Sequence, residues 1–229
     1  MSIINFLGIE SGFGEKHTNA FFENEKAQFF IDLSMTNIKR AKELVNENKN
    51  VFMFITHMHA DHISGIPIFI QFLYYVKNKK ITFIIPEKIS ISFKTYLSIC
   101  GILENMYDIK ETISLNELEV DSIKYKAIET YHCPEIDCFG YIFNINNNLI
   151  VYTGDTAEFL NFEDYFNDAK EIYIDTSVNY GKVHLTLTSI LEKFGDNPKS
   201  DIYLMHIDNI EKAKEMIINK EKYYIANII

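Results

Sequence analysis

Thr56-His57-Met58-His59-Ala60-Asp61-His62 follows directly on the apolar run Val51 to Ile55, and the fold is read outward from this junction. A short, continuous apolar run rich in β-favouring residues reads as a strand buried on both faces. His57 and His59 stand two apart on extended chain and so point the same way, whereas Asp61 and His62 come after the chain turns toward a helix. One loop at a strand end thus aims ligand-type side chains at two points. Imidazole nitrogens and carboxylate oxygens suit zinc and related ions, and three protein ligands plus one water form the open arrangement of catalytic zinc.

The same pattern recurs along the chain. Asp155 and His206 come just after the strands read at Leu149 to Thr153 and Ile202 to Met205, and His132 lies two residues past the strand Ile123 to Thr130. Six of the seven histidines occupy strand ends or the loops that follow, which core packing does not explain. Residues so placed gather on one rim of a sheet, where loops hold them in a cleft and strands keep them rigid. Further strands are expected in Ala20 to Asp32, as strand, turn and strand, and at Ile81 to Ile85, Phe139 to Ile145 and Glu171 to Ile174. Helices are expected at Met35 to Asn48, Ser64 to Val76, Ser90 to Cys100, Thr186 to Phe194 and Ile210 to Asn219. Gly8, Gly12 and Gly14 read as turn residues, and Asn146-Asn147-Asn148 as a hairpin turn. With strands and helices mingled and no repeat or linker, the fold class is α/β and residues 1–229 form one domain. The helix from Ser64 to Val76 is unusual, because apolar residues fall on every face; it calls for cover on both sides, from its own chain or from a second copy.

Composition narrows the function. The formal charge is −10 and Arg40 is the only arginine, which argues against a surface made for long nucleic acid. No apolar run reaches the roughly 18 residues of a membrane span, and Met1 to Leu7 lacks a basic start. Three cysteines, Cys100, Cys133 and Cys138, do not make a secreted disulfide framework. A cytoplasmic protein with reduced thiols is expected. Cys133 beside His132 reads as a packing residue, and His17 has no motif around it.

The stretch from Thr56 to His62 resembles the signature of the metallo-β-lactamase superfamily. His132, Tyr152-Thr153-Gly154-Asp155-Thr156 and Leu204-Met205-His206 resemble its remaining ligand motifs in their usual order. The resemblance covers most of the chain and implies a four-layer αβ/βα sandwich. It further implies that His57, His59 and His132 hold one divalent ion, that Asp61, His62 and His206 hold another, and that Asp155 bridges them. Zinc is the first expectation, with manganese or iron as alternatives. Hydrolysis would then proceed by a metal-bridging hydroxide, oriented by Asp61 and Asp155, since bound zinc lowers the pKa of water to about 7.

Val183-His184-Leu185-Thr186 is similar to the His-x-Thr element of ribonuclease Z-type phosphodiesterases. The resemblance implies that His184 protonates the leaving oxygen, with Asp175 as a candidate to orient it and helix amides near Thr186 as candidates to hold a phosphate oxygen. Only 22 residues lie between His132 and Asp155, too few for the inserted arm with which tRNA-processing members grip tRNA. The expected substrate is therefore a small phosphodiester, a cyclic nucleotide first, and the related phosphodiesterases imply a homodimer. Tyr74 or Tyr131 is available to stack on a base. Two other readings stay open, an ester or lactone hydrolase of the same fold and a ribonuclease Z-like RNA 3′-processing endonuclease.

Overall fold

A computed structural model describes residues 2–179 and 181–229; Met1 lies outside the described residues. The first half of the chain builds a six-stranded sheet from β1 (Asn5–Gly8), β2 (Asn19–Glu23), β3 (Ala27–Ile31), β4 (Asn50–Phe54), β5 (Ile81–Pro86) and β6 (Tyr107–Thr112), in that spatial order. From β3 to β6 all neighbours are parallel. Their connections run through α1 (Ile38–Leu44), through α2 (Ala60–Ile63) and α3 (Ile66–Gln71), and through α4 (Glu87–Ile99). The second half builds a seven-stranded sheet from β7 (Leu118–Val120), β8 (Ile123–Thr130), β9 (Cys138–Ile145), β10 (Asn148–Tyr152), β11 (Glu171–Asp175), β12 (Asp201–Met205) and β13 (Tyr223–Ile225). This sheet is antiparallel as far as β10 and parallel beyond it. Its helices are α5 (Glu163–Phe166), α6 (Leu187–Phe194) and α7 (Ile210–Ile217).

Strand alternation explains the layering. In β3, Phe29 points toward the second sheet with Phe22 and Phe52, ring centroids 4.9 and 5.4 Å away, while Phe30 points out to Phe69 of α3 at 5.2 Å. Phe54 meets Tyr125, Tyr141 and Phe143 of the second sheet edge-on at 5.1, 5.1 and 5.0 Å. Such a fully buried ring contributes about 3–5 kcal/mol against truncation to alanine. On the outer face of the first sheet, Phe93 of α4 covers Phe83 at 4.9 Å, and Phe166 of α5 meets Phe194 of α6 at 5.0 Å on the other side. The result is helix, sheet, sheet and helix, the four-layer sandwich expected above.

Several boundaries differ from the sequence reading. Helix α1 ends at Leu44 because the Gln28 side chain intervenes: its amide donates to the Leu44 carbonyl at 2.8 Å, and its oxygen accepts from the Asn46 N–H at 2.7 Å. Helix α4 begins at Glu87, directly after Pro86, instead of at Ser90. The segment read as one helix from Ser64 begins its helix at Ile66 and is divided into α3 and a widened π-helical turn over Phe72–Val76, with the short α2 lying before it. Within the chain only one of its faces is covered, and Ile68, Tyr75 and Val76 remain exposed. Because β8 and β10 each run antiparallel to β9, they point the same way as β11 and β12. Their C-terminal ends and that of β4 meet at one rim, and the Tyr141 hydroxyl ties the sheets together there by donating to the Ile55 carbonyl at 2.7 Å.

Candidate metal centre

Two nests of ligand atoms form at this rim. His57 Nε2 lies 3.0 Å from His59 Nδ1, which lies 3.3 Å from His132 Nε2. In the second nest His62 Nε2 is 3.3 Å from Asp61 Oδ2 and 3.4 Å from Asp155 Oδ2, and His206 Nε2 is 3.3 Å from each of the same two oxygens. Asp155 Oδ2 also stands 3.8 Å from both His57 Nε2 and His132 Nε2, so one carboxylate faces both nests. Ligands 2.0–2.2 Å from a tetrahedral zinc ion are about 3.3–3.6 Å apart, which is the spacing seen. His62 Nε2 is buried, lies between two carboxylates and makes no hydrogen bond. A buried polar nitrogen without a partner is costly, and a divalent cation in the gap removes that cost. The donor set therefore fits two metal ions, with Asp155 between them.

Outer partners aim these nitrogens. The Thr56 N–H and hydroxyl both donate to Asp32, at 2.8 and 2.5 Å, and His62 Nδ1 donates to the same carboxylate at 2.8 Å. With its proton committed to Asp32, the Thr56 oxygen accepts from His57 Nδ1 at 3.0 Å, and His132 Nδ1 donates to the Val183 carbonyl at 2.8 Å. Each of these bonds leaves an Nε2 lone pair for the centre, as oriented metal-binding imidazoles require. His59 is turned the other way, with Nδ1 inward and Nε2 against the Cys133 sulfur at 3.8 Å. Burial, and then the neighbouring His62, push His57 well below the usual histidine range, so it stays neutral as a ligand must. Burial would also push His62 down, but Asp155 and Asp61 raise it well above that range. The negative field that holds a proton on His62 is the field that attracts a cation.

His184 stands beside the centre. Its ring centroid is 4.7 Å from that of His132 and 4.8 Å from that of His206, and its Nδ1 donates to Asp175 Oδ2 at 2.8 Å. Asp175 also accepts the Thr156 N–H at 2.8 Å, so the carboxylate weighed in the sequence as an orienting partner is in place. Burial lowers the His184 pKa, but Asp175 outweighs it and the net direction is upward. Of the helix amides near Thr186, three are engaged within the chain: Leu187 N–H donates to the Ser177 carbonyl, Ser189 N–H to the Thr186 hydroxyl, and Ile190 N–H to the Thr186 carbonyl. Thr186 caps its own helix.

The centre opens into a cleft of about 990 Å³. Besides His59, Asp61, His132, Asp155, His184 and His206, its walls include Phe13, Asn179 and Lys182. Among the described residues lining it, His17, Tyr74, Tyr131 and Cys133 do not appear. Neither tyrosine therefore faces the cleft of its own chain. Sequence reasoning missed Asp32 and Phe13. The only trace of Asp32 was an acid ending an apolar strand, and Phe13 was hidden between two turn glycines.

Comparison with known proteins agrees with this geometry. A family profile described as "Anti-Pycsar protein Apyc1" matches residues 2–225. The chain belongs to this family. An Apyc1 protein of Paenibacillus harenae is 25% identical over 152 residues, which are 62% of this chain and 63% of that relative. The chain thus spans about 63% of the length of the curated relative it matches. A solved diphosphatase of the PhnP family superposes with a TM-score of 0.77 at 16% identity, covering 98% of this chain and 94% of its own. The short form of human tRNase Z gives 0.70 at 14% identity, covering 98% and 96%. These likenesses show the metallo-β-lactamase fold of this Apyc1-family chain. Its paired nests of histidine and aspartate are groups that could hold metal ions.

Proposed function

We propose that the protein is a dinuclear metal-dependent phosphodiesterase that opens a small phosphodiester, in the first place a cyclic nucleotide. The observation that carries this reading is the Asp175–His184 pair at 2.8 Å, set beside His132 and His206 of the two nests. The ester or lactone alternative needs the same metals but does not call for this pair. The family designation, anti-Pycsar, points toward breakdown of a cyclic nucleotide signal.

When bound, two divalent ions, zinc by the nitrogen and oxygen character of the donors, supply a water of lowered pKa and positive charge for the phosphoryl oxygens. The chain's own groups do the rest. Asp61 and Asp155 turn acceptor oxygens into the gap and orient the attacking water. Asp175 fixes the His184 ring, leaves Nε2 as its free nitrogen and favours the protonated form that gives a proton to the departing ribose oxygen. Lys182 is the one lysine or arginine among the described residues lining the cleft, too little positive charge for a long polyanion. The same reading places a single-domain protein in the cytoplasm, in keeping with three cysteines that form no disulfide and with the lack, among the described residues, of a helix long and apolar enough to cross a membrane. It also has two copies pairing through the face that α3 leaves uncovered.

The test joins elemental analysis to a substrate panel at matched salt: cyclic mononucleotides, cyclic dinucleotides, a lactone and a precursor tRNA with a 3′ trailer. Two metal equivalents per chain and preferential cleavage of the cyclic substrates are expected. A metal-free active protein would remove the dinuclear reading, and efficient tRNA or lactone turnover without action on cyclic nucleotides would replace the substrate class.

A further inference from the structure

The loop after β1 carries a phenylalanine where solvent exposure is hardest to justify. Phe13 is 102% exposed, the highest value among the large apolar side chains, yet it borders the cleft that holds the metal ligands. Single exposed aromatics are common, so exposure alone decides nothing. The construction of the loop does. A Cβ built on Gly12 would stand 2.9 Å from Asp61 Oδ2, so the backbone one residue before Phe13 lies directly on a ligand carboxylate. Only glycine permits that approach. A Cβ on Gly14 would stand 2.5 Å from the Glu10 carboxylate, which in turn accepts the Glu15 and Lys16 N–H groups at 2.5 and 3.0 Å. Ser11 N–H reaches the Ile207 carbonyl, next to His206, at 3.2 Å, and Gly14 N–H closes the turn on Ser11 at 2.8 Å. The loop is therefore anchored to both ends of the second metal nest. It carries the exposed Phe13 at the border of the cleft, one residue along the chain from the contact of Gly12 with Asp61.

We infer that Phe13 is the stacking platform of a nucleobase subsite. A phosphodiester seated at the two nests extends its sugar and base into the cleft, and the face of Phe13 is the apolar surface first met there. Stacking on a ring needs no hydrogen-bond code, because every base has a π-face, and one rigid ring gives affinity without selecting a base by its edge. The inference rests on the phosphodiesterase reading for its choice of ligand, but it concerns a different residue and a different readout.

The chain contains no tryptophan, so Phe13→Trp installs a single indole fluorophore at the subsite. The metal-loaded variant is titrated with a slowly cleaved 3′,5′-cyclic nucleotide phosphorothioate and with the matching ribose cyclic phosphorothioate that lacks a base. Quenching by the first and none by the second is expected, with Tyr131→Trp, outside the cleft, as a silent control. In steady-state assays Phe13→Ala is expected to raise KM for cyclic mononucleotides about 5- to 150-fold, the loss typical of removing one stacking ring. Turnover of the baseless ribose cyclic phosphate is expected to stay as in the wild type, and Phe13→Tyr is expected to restore nucleotide KM. An unchanged nucleotide KM in Phe13→Ala, or quenching equal for both ligands, would overturn the subsite while leaving the phosphodiesterase intact. Indole emission of the Phe13→Trp variant that shifts with protein concentration and not with nucleotide would also overturn it, showing that a second copy covers the ring. Absence of any cyclic nucleotide cleavage by the wild type would instead remove the underlying reading.

Discussion

His184 is set apart from the histidines of the two nests by its place and not by how its ring is held. His57, His62, His132 and His184 all commit Nδ1 to an outer partner and keep Nε2 for the cleft, but His184 stands to one side of the nests, beside His132 and His206, with Asp175 behind it. His184→Ala should therefore retain the metal content of the wild type and lose roughly 10²- to 10⁴-fold in turnover, the usual worth of a positioned acid. Metal analysis beside kcat checks this, and loss of metal would make His184 a ligand. Asp32 makes the opposite case. It receives three donors from Thr56 and His62 and touches no substrate. Asp32→Ala should weaken metal affinity about 10- to 100-fold, as removal of such orienting partners does, and destabilise the fold by about 1–3 kcal/mol for each buried donor left unpaired. Chelator competition and thermal unfolding read the two effects separately; an unchanged chelator midpoint would mean that Thr56 alone aims the rings.

At the scale of elements, the site is a set of turns that strands deliver to one rim, and glycine allows two of them to touch. Gly154 has φ +60°, and a Cβ on it would meet the Phe139 carbonyl oxygen at 2.4 Å; a Cβ on Gly140 would meet the Thr153 carbonyl oxygen at 2.3 Å. Asp155, whose carboxylate faces both nests, thus rides on a close approach of β9 to the turn after β10. Gly154→Ala combines left-handed strain with a backbone clash, so a cost of about 1–3 kcal/mol or more is expected, lowering Tm by about 2–12 °C for a chain of this size. Metal occupancy should fall with it, whereas Gly101→Ala, at φ +75° with open space around it, should lower Tm without loss of metal. Equal metal content in both would detach Asp155 from this turn. The motif residues were legible because ligand chemistry forces histidines and acids to strand ends in a fixed order. Four strands were not: β1, β6, β7 and β13 are short or polar and lie at sheet edges, where alternation is weak and the backbone, not side chains, carries the pairing. Asp32 and Phe13 escaped for a related reason, since a strand-ending acid and a phenylalanine between glycines are ordinary until the chain folds back on Thr56 and Asp61.

The whole molecule sets an apolar strip against a strongly acidic body. Ile66, Pro67, Phe69, Ile70 and Leu73 are buried in the chain, which leaves Ile68 at 42%, Tyr75 at 67% and Val76 at 67% exposure on the far side of the same segment. Phe72 extends the strip, flanked by Lys42 and Lys77 whose ammonium groups lie 5.7 and 5.9 Å from its ring centre. A stable pair buries about 800 Å² on each partner, more than three side chains offer, so a dimer through this strip would need the half-buried Phe72 and Tyr74 as well. Two bodies each carrying −10 repel one another. If apolar contact draws them together against that repulsion, added salt screens the repulsion and leaves the contact, so pairing should tighten with ionic strength. A dimer held by ion pairs would loosen instead. Light scattering is expected to give twice the chain mass at micromolar protein, with a dissociation constant that falls as salt rises. The double variant Ile68→Asp and Tyr75→Asp, whose side chains carry little of the core, should be monomeric with its unfolding midpoint nearly unchanged. A wild type that stays monomeric across the salt series would show that this strip is exposed without a partner, and a dimer that survives the double variant would place the interface on another face.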